Sequence, residues 1–293
     1  MWPEIFFFDG YLHVFIECYV DNLLVYTKAL YPGEPIINIF MRHIHHLQLV
    51  MERADLWNLT FKSSKCFFCM PRLLTLGWVV DSSGMTANPN AIKALLAREP
   101  PSTKTEVRSF MGMAIQFASL IPSFAEITAP LTDLTLKTHP DKWEICPDAA
   151  KEAFENIKYA LTRDPILSPP TPGIPFRLRT DACNTAIGSI LTQFVDGHLK
   201  LIACRSRKLS PAERKYATHE RETLAIVDAV KTFRPILDNQ PLSLGTDHKN
   251  LVPMLSFAEK CNASPRMTRW AMELSPWNLR RILHYVPGAK LWF

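Results

Sequence analysis

Two apolar runs flank a compact polar tip near the start of the chain. Tyr11, Leu12, Val14, Phe15 and Ile16 precede Val20-Asp21-Asn22, and Leu23, Leu24, Val25 and Tyr26 follow it. Short apolar runs on both sides of such a tip predict a β-hairpin within residues 1–28, with Asp21 and Asn22 held at its turn. The period then changes. Ile44, Leu47, Val50, Met51 and Leu56 recur at helical spacing and predict a helix from His43 to Asn58. The stretch "LLTLGWVVDSSGMTANP" predicts two short strands around Ser82-Ser83-Gly84. Three helices follow. Asn88 and Pro89 open the first. Ser102 or Thr103 caps the second, with Glu106 where a capping box needs it and a stripe of Val107, Phe110, Met111, Ala114, Phe117 and Ala118. Ala150, Phe154, Ile157 and Leu161 define the third.

"SPPTPGIP", Ser168 to Pro175, cannot form regular structure and marks a boundary. Beyond it "FRLRTDA" and "IGSILTQF" alternate like paired strands, and "LKLIACRSRKL" reads as a third. "ATHERETLAIVDAVKTFRPIL" has a strong helical stripe of Leu224, Ile226, Val227, Val230 and Phe233. A strand ("LSLGTD"), two short helices ("NLVPMLSF", "RMTRWAMELS") and a last strand ("LRRILHYVP") complete the order. Strands, a helix, then strand and helix again predict a mixed-sheet α/β (α+β) fold.

Composition narrows the class. With 293 residues, 47% hydrophobic and 21% charged, the chain is ordinary soluble globular protein of about two domains. Glu4, Asp9, Glu17 and Asp21 interrupt the N-terminal apolar stretches, so none reaches the roughly 18 uncharged residues of a membrane span. No basic segment precedes them, which argues against a signal peptide and for an intracellular, cytoplasmic or nuclear, location. The seven cysteines are an odd number without framework spacing. Cys66 and Cys69 form one CxxC with no second pair or His pair, so packed thiols in a reducing compartment are a better reading than zinc. The net charge of +5 is uneven: residues 171–293 hold 18 Lys+Arg against 10 Asp+Glu, whereas residues 1–170 hold 15 against 18. A basic C-terminal part suits a polyanionic partner such as nucleic acid, although many soluble domains are this basic without one.

Three acids fall at predicted element ends: Asp181 closing the first strand after the boundary, Glu222 on the first turns of the long helix, and Asp247 after "LSLGT". Any one alone is most simply a solvated residue or a cap. Converging from separate elements, three would hold two hard divalent cations about 3.5–4 Å apart, an arrangement that cleaves phosphodiesters.

"TDACNTAIGSILTQ", "RSRKLSPAERKYATHERETLAIVDAVKTFR", "GTDHKNL" and "RMTRWAMEL…YVPG" resemble the RNase H domain of gypsy-type LTR retrotransposon Pol polyproteins. Upstream, "YVDNLLVYTK", "FKSSKCFF", "LGWVVDSSGM", "PPSTKTEVRSFMGMA" and "APLTDL" resemble the C-terminal part of the reverse transcriptase of the same elements. The resemblance implies a partial polymerase palm over residues 1–87, a helical thumb/connection over 88–170 and an RNase H-like domain over 171–293. The implied family activities are RNA-directed DNA synthesis and two-metal (Mg2+ or Mn2+) hydrolysis of RNA in RNA–DNA hybrids. Asp181, Glu222 and Asp247 match three metal-binding catalytic carboxylates; the register of "ETLAI" selects Glu222 over Glu220. Arg205, Arg207 and Lys208 are candidate nucleic-acid contacts. Two departures matter. The family's polymerase tip is Tyr-x-Asp-Asp, and here Tyr19-Val20-Asp21-Asn22 carries a neutral amide, so polymerase activity is expected to be lost and Asp21 and Asn22 to be a remnant. A fourth RNase H acid is expected about ten residues past "YVPG", and this sequence stops at Phe293, so the activity is expected to be impaired. The alternative expectation is a catalytically dead remnant that binds nucleic acid or serves structurally.

Overall fold

The computed structural model describes residues 8, 10–12, 14–19, 22–31, 33–163, 166–256, 264–277 and 282–286. Contact density divides the chain into Met1–Met70 and Pro71–Phe293.

In the first unit, β1 (Ile16–Tyr19) and β2 (Asn22–Val25) form the antiparallel hairpin, with Ile16 opposite Val25 and Tyr19 opposite Asn22. Asp21 lies outside the described residues. The strands are shorter than the apolar pattern suggested, because Val14 and Phe15 sit in tight turns, with Tyr11 O accepting from Val14 N and Phe15 N. The helix α1 (Ile36–Leu56) starts seven residues earlier than predicted. Pro35 precedes it, and a proline there leaves no orphan N–H while its fixed φ suits helix entry. Hairpin and helix meet: Phe15 stacks on His46 at 4.1 Å, and Thr27 Oγ1 lies 3.0 Å and 2.8 Å from Nδ1 of His43 and His46. The shared core is small, with Phe8, Phe15, Ile16 and Val50 buried among the described residues. Ile36, Ile37, Phe40, Met41 and Ile44 on α1 are exposed.

The second unit opens with three strands where two were predicted: β3 (Arg72–Thr75), β4 (Trp78–Asp81) and β5 (Gly84–Ala87), an antiparallel meander. Leu76 and Gly77 form the first turn, both at positive φ (51° and 81°), the conformation a two-residue hairpin loop demands. Gly84 is required, since a Cβ there would stand 2.2 Å from the Leu167 carbonyl oxygen. That close approach lets Met85 and Leu167 exchange backbone hydrogen bonds of 2.8 Å and 2.9 Å.

Helices α2 (Pro89–Leu96), α3 (Lys104–Ala114), α4 (Phe124–Ile127), α5 (Ala129–Asp133) and α6 (Asp148–Thr162) follow. Asn88 caps α2 and Thr103 caps α3 through Glu106 N, while the Glu106 carboxylate accepts from Ser102 N at 2.7 Å. Their apolar stripes bury Leu95, Val107, Phe110, Phe117, Leu131, Phe154, Ile157 and Leu161, a core that continues onto Ile190, Leu201 and Cys204 of the sheet beyond the proline-rich segment.

That sheet has the order β10-β9-β6-β7-β8. β6 (Phe176–Ala182), β7 (Ala186–Val195) and β8 (His198–Lys208) are antiparallel; β9 (Leu242–Thr246) runs parallel to β6, and β10 (Leu283–Tyr285) parallel to β9. A one-residue bulge at Ile202 shifts the β7–β8 register. The opposite face carries α7 (Thr218–Leu237), whose Ile226, Val230 and Phe233 pack with Leu178, Leu191 and Leu244. α8 (Leu251–Ser256) and α9 (Pro265–Leu274) complete the layer, α9 adding Met267, Trp270 and Leu274 to the same core. Among the described residues no helix is long and apolar enough to cross a membrane.

Candidate metal centre

The parallel pairing of β6 and β9 brings two acids to one sheet end. Arg179 stands opposite Gly245 in the register, so Asp181 and Asp247, each two residues further on, emerge side by side. Helix α7 crosses this end with its first turns, and Glu222 lies on the second. Carboxylate oxygens of Asp181, Glu222 and Asp247 all lie within 4.8 Å of one another.

The three environments differ. Asp247 is exposed and Asp181 half-buried, whereas Glu222 is only 5% exposed. Glu222 Oε2 is buried without a hydrogen-bond partner. Burial first, and then the charges of Asp181 and Asp247, push the Glu222 carboxyl up to about 8. Closely set carboxylates repel, and a buried orphan acceptor costs free energy, so the arrangement is strained electrostatically until a cation or proton joins it. The donors are all oxygen and formally anionic, the set that hard divalent cations such as Mg2+ and Mn2+ prefer. The residues therefore fit a divalent ion.

Neighbouring groups hold the geometry. Arg221 donates from Nη1 to Cys183 O at 3.2 Å and to Asn184 Oδ1, tying the start of α7 to the β6–β7 turn. Glu220, the alternative to Glu222, is engaged elsewhere: its carboxylate accepts from Ala217 N at 3.3 Å, Ser264 Oγ at 3.1 Å and Arg266 Nη1 at 3.1 Å, which caps α7 and anchors the start of α9.

Residues 171–277 match the family model of the RNase H-like domain found in reverse transcriptase. The relatives are transposon polyproteins. The chain is 31% identical over 273 residues to the retrovirus-related Pol polyprotein from transposon 297 of Drosophila melanogaster, covering 93% of this chain and 24% of the relative. It is 28% identical over 277 residues to the Transposon Tf2-7 polyprotein of Schizosaccharomyces pombe, covering 94% and 20%. The chain thus spans about a quarter or less of these curated relatives. In fold it is similar to the foamy viral protease-reverse transcriptase solved with an RNA/DNA hybrid, with a TM-score of 0.66 at 16% identity over 98% of this chain and 37% of that one. The same viral protein with dsDNA gives a TM-score of 0.65 at 19% identity, over 99% and 59%.

Within the matched residues 171–277 the three basic residues singled out from the sequence have protein partners. Arg207 grips Glu213 at 3.0 Å and Asp228 at 2.7 Å, which drives the Glu213 carboxyl down to about 2 through the Arg207 hydrogen bond. Arg205 reaches Asp228 at 3.4 Å with its side chain 42% exposed. Lys208 pairs with Asp133 of α5 at 3.0 Å. Cys66 and Cys69 are free thiols, and Cys66 Sγ donates to Lys62 O at 3.4 Å. Asn22 is the first residue of β2 and exposed.

One acid escaped the sequence reading. Glu126 of α4 lines a cleft with Ser123, Asp181, Cys183, Gly188 and Ser206. Burial, and secondarily the charge of Asp181, raise its carboxyl. Nothing in the local pattern signals this, because Glu126 stands on a helical segment far upstream of Asp181 in sequence.

Proposed function

We propose that the domain over residues 171–293 hydrolyses the RNA strand of RNA–DNA hybrids, with Asp181, Glu222 and Asp247 as its metal-binding and catalytic carboxylates. The observation that carries this reading is their convergence within 4.8 Å around a buried Glu222 oxygen that lacks a partner. Bound there, a pair of Mg2+ or Mn2+ ions would supply an activated water and charge neutralisation at the leaving oxygen. Asp181, between the other two acids in depth of burial, orients the site from the rigid sheet. Glu222, locked on α7, contributes an anionic oxygen once its proton leaves. Asp247 faces solvent, where a phosphodiester would arrive. The RNA/DNA complex of the foamy viral protein supports a hybrid as partner. Arg205 retains exposed surface for a phosphate, while Arg207 and Lys208 would have to exchange a protein carboxylate for one.

For the upstream residues the reading is a gypsy-type reverse-transcriptase segment, palm over 1–87 and thumb/connection over 88–170, without polymerase turnover. Asn22 presents a neutral carbonyl oxygen where a magnesium pair calls for an anion. The deciding experiment is cleavage of a 5′-labelled RNA annealed to DNA, in Mg2+ and then Mn2+. Metal-dependent cuts lost in Asp181→Asn support the proposal. No cleavage under either ion, with the protein folded, supports the dead remnant instead.

A further inference from the structure

Asp181 belongs to two groups of side chains at once. On one side are Glu222 and Asp247. On another is the cleft it shares with Ser123, Glu126, Cys183, Gly188 and Ser206, whose lining includes neither of those acids. The register explains the second group. Asp181 pairs with Gly188 and Gly188 with Ser206, so the three form a row across β6, β7 and β8, and opposed residues on paired strands share a face. The central member has no side chain, which leaves room between Asp181 and the α4 segment.

That segment is held firmly. Ala125 N donates to Ser206 Oγ at 3.0 Å, and Ser206 Oγ donates in turn to Ile187 O at 3.3 Å. Thr128 Oγ1 closes α4 by donating to Phe124 O at 2.8 Å. Lys208 Nζ then clamps α5 through Asp133 at 3.0 Å and the Ala129 carbonyl at 3.3 Å. Glu126 is exposed, yet its anchored turn holds it in the cleft it shares with Asp181. The orphaned Oε2 of Glu222, 95% buried by residue exposure, independently indicates that this centre is built around an absent positive charge.

We propose that Glu126 is a fourth carboxylate of the centre, binding through a water molecule to a divalent cation held by Asp181. The inference rests on the cation-binding reading of the Asp181–Glu222–Asp247 cluster and adds to it a residue from outside the RNase H-like match. Outer carboxylates of this kind orient metal-bound water and raise metal affinity, so their loss weakens binding without unfolding the site.

The test is Mn2+ titration of the full chain, followed by the fall in the free-ion paramagnetic resonance signal, for the parent, Glu126→Gln, Glu126→Asp and Asp181→Asn. Thermal melting without metal runs alongside. Glu126→Gln is expected to bind Mn2+ roughly tenfold more weakly, Glu126→Asp to recover part of that loss, and metal-free Glu126→Gln to melt at or above the parent temperature. Parent-like Mn2+ affinity in Glu126→Gln, with binding abolished in Asp181→Asn, overturns this inference and leaves the centre standing. A lowered metal-free melting temperature in Glu126→Gln that tracks the lost affinity, and is not relieved in Glu126→Asp, overturns it in favour of a structural role. A parent that takes up no Mn2+ beyond Asp181→Asn overturns the centre itself.

Discussion

The hairpin of the first unit and the five-stranded sheet of the second are supported very differently. The hairpin has two four-residue strands and, among the described residues, shares a core of four buried side chains, Phe8, Phe15, Ile16 and Val50, with α1. The sheet strands run up to 11 residues and are covered on both faces, by α7 and α9 on one and by the α3–α6 segment on the other. Two-stranded ribbons are marginal in water, while a covered sheet is cooperative and rigid. A multi-acid centre needs the second kind of support, since mutual repulsion of its members must be borne by packing elsewhere. The exposed stripe of Ile36, Ile37, Phe40, Met41 and Ile44 on α1 shows the same contrast from the side of burial.

Hydrogen exchange on the full chain sharpens this comparison most. Amides of Leu178 and Leu191 are expected to exchange at least about a thousandfold more slowly than those of Leu23 to Val25, because local opening of the small hairpin core costs far less than opening the sheet. Equal protection in the two regions would break the contrast. Next in size is truncation. Leu191 is fully buried, so Leu191→Ala should lower stability by about 3 kcal/mol, whereas Ile37→Ala, at a side chain 60% exposed, should change it by less than about 0.5 kcal/mol. Denaturant melts of both variants read this directly.

The third expectation concerns pH. Folding raises the Glu222 carboxyl from its ordinary 4.5 to about 8. The folded state therefore holds this proton more tightly than the unfolded one. The group's contribution to stability is complete below about pH 4.5, declines as pH rises toward 8, and is gone above it, with a slope of up to about 1.4 kcal/mol per pH unit in that window. Glu222→Gln, or saturating Mn2+, should flatten the slope in melts run from pH 5 to 8. A slope unchanged by both would detach Glu222 from the cluster. Smallest is the Lys208–Asp133 pair, in which Asp133 is 54% exposed. Lys208→Ala should cost less than about 1 kcal/mol, as partly exposed ion pairs do.

Much of this was legible in the strand and helix periods. The alternation of "FRLRTDA" and the stripe of α7 appear as β6 and α7, and Asn88 and Thr103 cap the helices they precede. The start of α1 was not, because Ile36 to Met41 lie on a face that stays exposed, so the apolar spacing there carries no burial signal. A third strand was missed because Leu76-Gly77 makes a two-residue turn without Asn or Asp.

Local chemistry along the chain was enough to determine the elements, their caps and the three acids at element ends, because propensity and periodicity act over a few residues. Which acids meet was decided by tertiary pairing. Parallel alignment of β6 with β9 brings Asp181 beside Asp247, and the crossing of α7 selects Glu222 while Glu220 turns to Arg266 and Ser264. Glu126 and Asp181, 55 positions apart, line one cleft only because α4 docks on β7 and β8, and that separation in sequence leaves no local trace.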